Sequence, residues 1–179
     1  MFILYVVLIA IAIGYIWGGR LAGIVESSFR WSWAVLAAIV IQLIIFSGFS
    51  WVESLPTTVG VALHLISYLL VLVFIIANVR ERAIAILGTG TLLNFLVIIL
   101  NGGYMPTPAA NFKGVQQAGE VNNNTMLADS GTLLPWLGDI FHLPSWLPLT
   151  NAFSIGDIFI AAGVFLYILK YMKPVKAQS

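Results

Sequence analysis

Residues 58–101 read TVGVALHLISYLLVLVFIIANVRERAIAILGTGTLLNFLVIILN, and this stretch decides the fold. Residues 58–79 carry no charged side chain, Arg80, Glu81 and Arg82 follow, and 83–101 again carry none. A helix rises ~1.5 Å per residue and a bilayer's hydrocarbon core is ~30 Å thick, so ~20 apolar residues make a span. The stretch therefore predicts two antiparallel spans, about 58–79 and 82–101, joined by a tight charged turn. Helices are required, because an isolated strand leaves its backbone polar groups unpaired in lipid.

Working outward, three more stretches qualify. Residues 31–50 open with Trp31 and Trp33 and close near Trp51, an aromatic at each interface. Residues 1–18 form the shortest stretch, and residues 153–172 end at Lys170, Lys173 and Pro174. The expected fold class is all-α, a single membrane domain over 1–179: a polytopic bundle of five transmembrane helices at about 1–18, 31–50, 58–79, 82–101 and 153–172. Composition points the same way, with 60% hydrophobic and 8% charged residues among 179. Soluble domains carry about a quarter charged residues. Met1 to Trp17 lacks a basic leader region and a small-residue cleavage site, so it reads as a retained helix.

The basic side chains set the orientation. Arg20 and Arg30 lie between the first two spans, Arg80 and Arg82 between the third and fourth, and Lys170, Lys173 and Lys176 at the close of the fifth. All seven share one side, and Lys113 alone falls on the other. By the positive-inside rule the N-terminus is outside and the C-terminus cytoplasmic, in a multi-pass protein of the cell membrane. Leu21 to Phe29 is too short to cross and is expected along the inner interface. The net charge of +1 includes no Lys/Arg patch able to neutralise phosphates, which excludes nucleic acid as a partner. The absence of cysteine excludes disulfides, thiol chemistry and Cys-ligated metals.

Residues 102–152 form an extracytoplasmic segment between the fourth and fifth spans, far longer than a helical connection needs. Its first half is polar, with Gln116-Gln117 and Asn122-Asn123-Asn124. Its second half is apolar but cut by Pro135, Pro144 and Pro148, which rule out a span. Trp136, Phe141 and Trp146 suit an ordered cap at headgroup level, with one or two short helices. Asn123-Asn124-Thr125 fits a glycosylation sequon, a tripeptide common by chance.

Three motifs carry a resemblance. Asn101-Gly102-Gly103-Tyr104-Met105-Pro106, Leu137-Gly138-Asp139 and Phe153-Ser154-Ile155-Gly156-Asp157, with the early Gly18-Gly19-Arg20, resemble the markers of an uncharacterised family of small bacterial membrane proteins. The likeness runs along the whole chain. It implies the membrane topology, a bacterial source and a concentration of shared features in the outer segment, and it implies no reaction.

Candidate site residues are few. Asn101 with Gly102 and Gly103 reads as a left-handed helix stop, with an anion nest of glycine N–H groups as the functional alternative. Ser154 to Asp157 reads as a capping box, placing the carboxylate at the positive end of its helix. The alternative makes Asp157 a cation or proton site, with Asp139 as the second carboxylate. Within the spans, Gln42, His64, Ser67, Tyr68 and Asn94 are polar. His64 and Asn94 each lie roughly 10 Å below the outer surface, so Gln42, His64 and Asn94 are expected on one polar stripe. Interhelical hydrogen bonding is the plain account of that stripe, and a ligand pocket or pathway the functional one. Haem ligation through His64 would need His142, a loop residue, as its second ligand. No nucleotide loop, paired-His motif or nucleophile elbow occurs, so no cofactor and no metal are assigned.

Three functions follow in order. The first is a non-enzymatic component that binds a lipid, a small ligand or a partner subunit beneath the outer cap, as an accessory subunit or a homo-oligomer in contact with membrane lipids. The second is a small transporter or channel using Gln42, His64 and Asn94. The third is a membrane-embedded enzyme acting on a lipid-linked substrate through Asp139 and Asp157.

Overall fold

A computed structural model describes residues 2–25, 27–47, 49–112, 121–122, 124–148 and 151–172. Lys113, Lys173 and Lys176 of the charge argument lie outside the described residues, as do Gln116, Gln117 and Asn123. The chain is mostly helical. In order come α1 (Phe2–Ile16), α2 (Ala22–Val25), α3 (Ser32–Ile45), α4 (Ser50–Glu53), α5 (Thr57–Asn78), α6 (Arg82–Leu100) and α7 (Ile155–Tyr171). Among the described residues, α5 and α6 are long and apolar enough to cross a membrane; α1 and α3 are apolar but shorter.

The second apolar stretch is cut short. Instead of running over 31–50, α3 stops at Ile45 and spans about 21 Å of helix. At the stop the backbone tightens: the Phe46 N–H still bonds the Gln42 carbonyl at 3.1 Å, while the Ser47 N–H turns to the Ile44 carbonyl, three residues back, at 3.2 Å. The Ser47 hydroxyl donates to the same carbonyl at 2.7 Å and accepts from the Phe49 N–H at 3.3 Å. Trp51 falls in the separate short helix α4.

Small residues set the packing. Gly90 of α6 faces Gly156 of α7 so closely that a β-carbon at Gly90 would lie 2.2 Å from the Gly156 carbonyl oxygen. Ala34 and Ala38 are buried on α3, and Ala10 on α1 packs with Ile168 and Met172 near the end of α7. A second core joins Val97 and Ile98 of α6 to Met105 and Leu137 of the segment that follows. Much of the remaining helical surface is apolar and exposed, including Ile16, Leu36, Leu43, Ile76, Leu92 and Leu166.

The segment between α6 and α7 is held by strand pairing more than by helix. β1 (Met105–Thr107), β2 (Val121–Asn122) and β3 (Thr125–Leu127) form a sheet in the order β1-β3-β2. Met105 pairs Thr125 in the parallel half, and Asn122 pairs Thr125 in the antiparallel half. β4 (Phe141–His142) pairs antiparallel with β5 (Ala152–Phe153). Of the expected one or two short helices, the described residues hold one, a 3-10 helix at Pro135–Leu137.

The segment lies at the end of the bundle where α1, α5 and α7 begin. Phe2 stacks on Phe153 at 4.2 Å, its N–H donates to Asn151 Oδ1 at 3.1 Å, and the Tyr5 hydroxyl bonds the Pro148 carbonyl. The opposite end gathers Arg20, Arg30, Arg80, Arg82 and Lys170. There Arg20 N–H donates to the Met172 carbonyl at 3.1 Å, Arg30 N–H to Asn78 Oδ1 at 3.0 Å, and Lys170 pairs with Glu81.

Candidate functional site

The site begins at the junction of α6 and α7. Ser154 caps α7: its hydroxyl accepts from Asp157 N–H at 3.0 Å, and Asp157 Oδ2 accepts from Ser154 N–H at 2.9 Å. Asn94, inside α6, closes the ring. Its Nδ2 donates to Asp157 Oδ1 at 2.9 Å, and its Oδ1 accepts from the Ser154 hydroxyl at 2.8 Å. Both amide atoms have opposite hydrogen-bonding needs, so this ring permits one orientation of the Asn94 amide. Gly156 makes the approach possible, since a β-carbon there would sit 1.9 Å from Asn94 Oδ1. With two donors and the positive end of α7, Asp157 is a well-supported carboxylate.

Against this clamp opens a polar cavity of about 370 Å³. Tyr68, Asn94, Met105, Thr107, Asn111, Asn124, Thr125, Asp139, Asn151, Ala152 and Asp157 line it. Two carboxylates and four asparagines face it, and among the described residues no Lys, Arg or His does. The segment places Asp139 from two sides: its N–H donates to the Pro106 carbonyl at 2.8 Å, and its carbonyl accepts from Asn111 Nδ2 at 3.0 Å. Gly138 allows this, because a β-carbon there would lie 2.2 Å from the Pro106 oxygen. Burial pushes the Asp139 carboxyl up to about 7, and the negative charge of Asp157 adds to the shift. Asp139 is thus a half-buried acid with no Lys, Arg or His beside it in the cavity among the described residues, poised to hold a proton or a positive ligand. No group of three His, Cys, Asp or Glu gathers among the described residues, so the cavity lacks the ligand density of a divalent-cation cage.

The sequence candidates divide. Tyr68, Asn94, Asp139 and Asp157 meet at the cavity. Gln42 and His64 pair with each other elsewhere: Gln42 Nε2 lies 3.2 Å from His64 Nδ1 and also bonds the Ser67 hydroxyl. Asn94 does not join them, so the stripe of Gln42, His64 and Asn94 is not one site. Its members face three cavities, with Tyr68 lining both the polar one and an apolar groove that Gln42 lines. Asn101 is structural. Its Nδ2 donates to the Val97 and Leu133 carbonyls at 2.8 and 2.9 Å, and its Oδ1 accepts from Leu133 N–H at 2.9 Å. Gly102 and Gly103 have φ of 70° and 99°, and Gly103 N–H turns back to the Ile98 carbonyl at 2.8 Å. That donor is spent on ending α6 and is not offered to an anion.

Sequence reading missed Thr107, Asn111, Asn124, Thr125 and Asn151. The signal available was the density of asparagine in a chain otherwise so apolar.

A family model, described as a family of unknown function (DUF5317), matches residues 26–169. No curated protein and no solved structure matches the chain.

Proposed function

The chain belongs to the DUF5317 family, a family of unknown function, and from its geometry we propose a five-span membrane protein that binds a small ammonium-bearing ligand at its extracytoplasmic face. Four observations support the membrane placement. α5 and α6 have the length and apolarity of spans. α1, α3 and α7 carry exposed large apolar side chains, among them Leu8, Ile9, Leu36, Leu43 and Leu166. The described basic residues share one end of the bundle, which faces the cytoplasm in this reading. Asp129, Asp139 and Asp157 lie at the other end, with the capping segment 102–152.

The observation that carries the ligand class is the raised Asp139 in a cavity rich in acceptors, with no Lys, Arg or His among its described lining residues. An ammonium group supplies a positive charge and donates to carboxylate, amide and hydroxyl oxygens at once. The volume falls near the lower bound of small-molecule pockets, about 300–1,000 Å³. The protein acts by binding, not by turnover.

Calorimetry on the full chain in lipid nanodiscs tests this, with ethanolamine as the probe. A proton competes for a carboxyl near 7, so binding is expected to be roughly tenfold tighter at pH 8 than at pH 6. Asp139→Asn is expected to remove that pH dependence and most of the affinity. Absence of binding, or an affinity indifferent to pH and to Asp139, overturns the proposal. The same carboxyl near 7 favours a second reading, acid–base catalysis on a lipid-linked substrate. Mass spectrometry of lipid extracts incubated with the protein separates the two: binding leaves every lipid mass unchanged. The channel reading has no such support, because Asn94 is committed to Ser154 and Asp157.

A further inference from the structure

We propose a second site, centred on His64, that takes an uncharged membrane-soluble ring compound through its carbonyl oxygen. The case starts from hydrogens. The Ser67 hydroxyl spends its one proton on the His64 carbonyl at 2.6 Å. Ser67 Oγ can then only accept from Gln42, which fixes the Gln42 amide with Nε2 towards both Ser67 and His64. The second Nε2 hydrogen points at His64 Nδ1, so Nδ1 is the acceptor and the neutral ring carries its proton on Nε2. That Nε2 is buried and has no partner among the described residues, and His64 is 4% exposed. A buried donor without an acceptor is the exception in folded proteins and marks a missing group.

A cavity of about 270 Å³ adjoins it. Helical side chains lean towards the N-terminus, which carries the His64 ring towards Gly60 and Val61, two of the cavity's lining residues. Ile45, Phe46, Val52 and Leu55 give it apolar walls, and the exposed Pro56 and Thr57 form its rim. The cavity exists because α3 stops at Ile45 and α4 resumes at Ser50. Among the described side chains none that lines it is charged, so a carboxylate or phosphate would be desolvated there without compensation. A neutral carbonyl answers the His64 N–H without that penalty. The size suits one ring system, and His64 itself packs edge-on against Phe46 at 5.6 Å. This site does not depend on the ammonium reading, although Asn124 walls both cavities.

The test compares menadione with 2-methylnaphthalene, the same fused ring without carbonyls, by calorimetry on the full chain in nanodiscs. The chain has no cysteine, so the quinone meets no thiol. Menadione is expected to bind roughly three- to tenfold tighter, the worth of one neutral hydrogen bond. His64→Phe is expected to erase that difference while keeping both ligands. Gly60→Leu is expected to abolish both, since a β-carbon at Gly60 meets nothing within 4 Å and the side chain enters the cavity without touching the backbone. An imidazole Nε2–H resonance that shifts with menadione and not with 2-methylnaphthalene identifies His64 as the donor. Equal affinities in the parent protein, or binding unchanged by Gly60→Leu, overturn the proposal, whether or not His64→Phe folds.

Discussion

Replacing Asp139 by asparagine is expected to stabilise the protein at pH 8 and to change little at pH 3. The folded carboxyl holds its proton up to about 7, against an ordinary value of 3.8, because burial and the Asp157 charge oppose ionisation. Between those values the folded state binds more protons than the unfolded one, so stability falls as pH rises from about 4 to about 7 and then levels. The ceiling on the loss is roughly 4 kcal/mol, and water reaching a partly exposed carboxylate brings it nearer to ~2 kcal/mol. Asparagine matches the neutral acid in shape and does not titrate, so the loss disappears. At ~2–4 °C per kcal/mol for a chain of this size, the melting temperature at pH 8 should rise by about 4–8 °C. Thermal unfolding in detergent micelles at pH 3 and pH 8 measures this. A variant less stable than the parent at pH 8, or shifted equally at both pH values, refutes the reasoning about burial.

Other outcomes follow from single contacts. Gly156→Ala drives a β-carbon into Asn94 Oδ1 and should separate α6 from α7, with a large loss of thermal stability. Asn94→Leu should cost about 1–3 kcal/mol in the same melts by taking the acceptor from the buried Ser154 hydroxyl proton and a donor from Asp157 Oδ1. Glu81→Gln removes the ion pair to Lys170, which is half exposed, and should leave the melting temperature nearly unchanged in ordinary salt.

How much was legible in the sequence varied with the kind of signal. Long apolar runs stand out against charged turns, and α5 and α6 begin and end within about a residue of the stretches read from hydropathy. Ser154 and Asp157 carry a local code, since a cap is made within one turn. The stop after Ile45 was not legible, because the tightening of the backbone at Ser47 leaves no mark in an otherwise apolar run. Nor was the partner of Asn94. Spacing along α6 places the residue at a depth and on a face, and which neighbour it meets depends on Gly90 and Gly156 letting α7 approach. The cavity residues from Thr107 to Asn151 come from short strands and turns with no periodicity, joined only by pairing such as Met105 with Thr125.

A chain without cysteine allows the most direct measurement of which face holds the acidic cavity. Single cysteines at Ser130, in the segment beside the cavity, and at Ser28, near the basic end, are exposed reporters. In intact cells a membrane-impermeant maleimide should label Ser130→Cys at once and Ser28→Cys only after permeabilisation. Labelling of both from the same side, or the reverse pattern, contradicts a ligand cavity open to the outside.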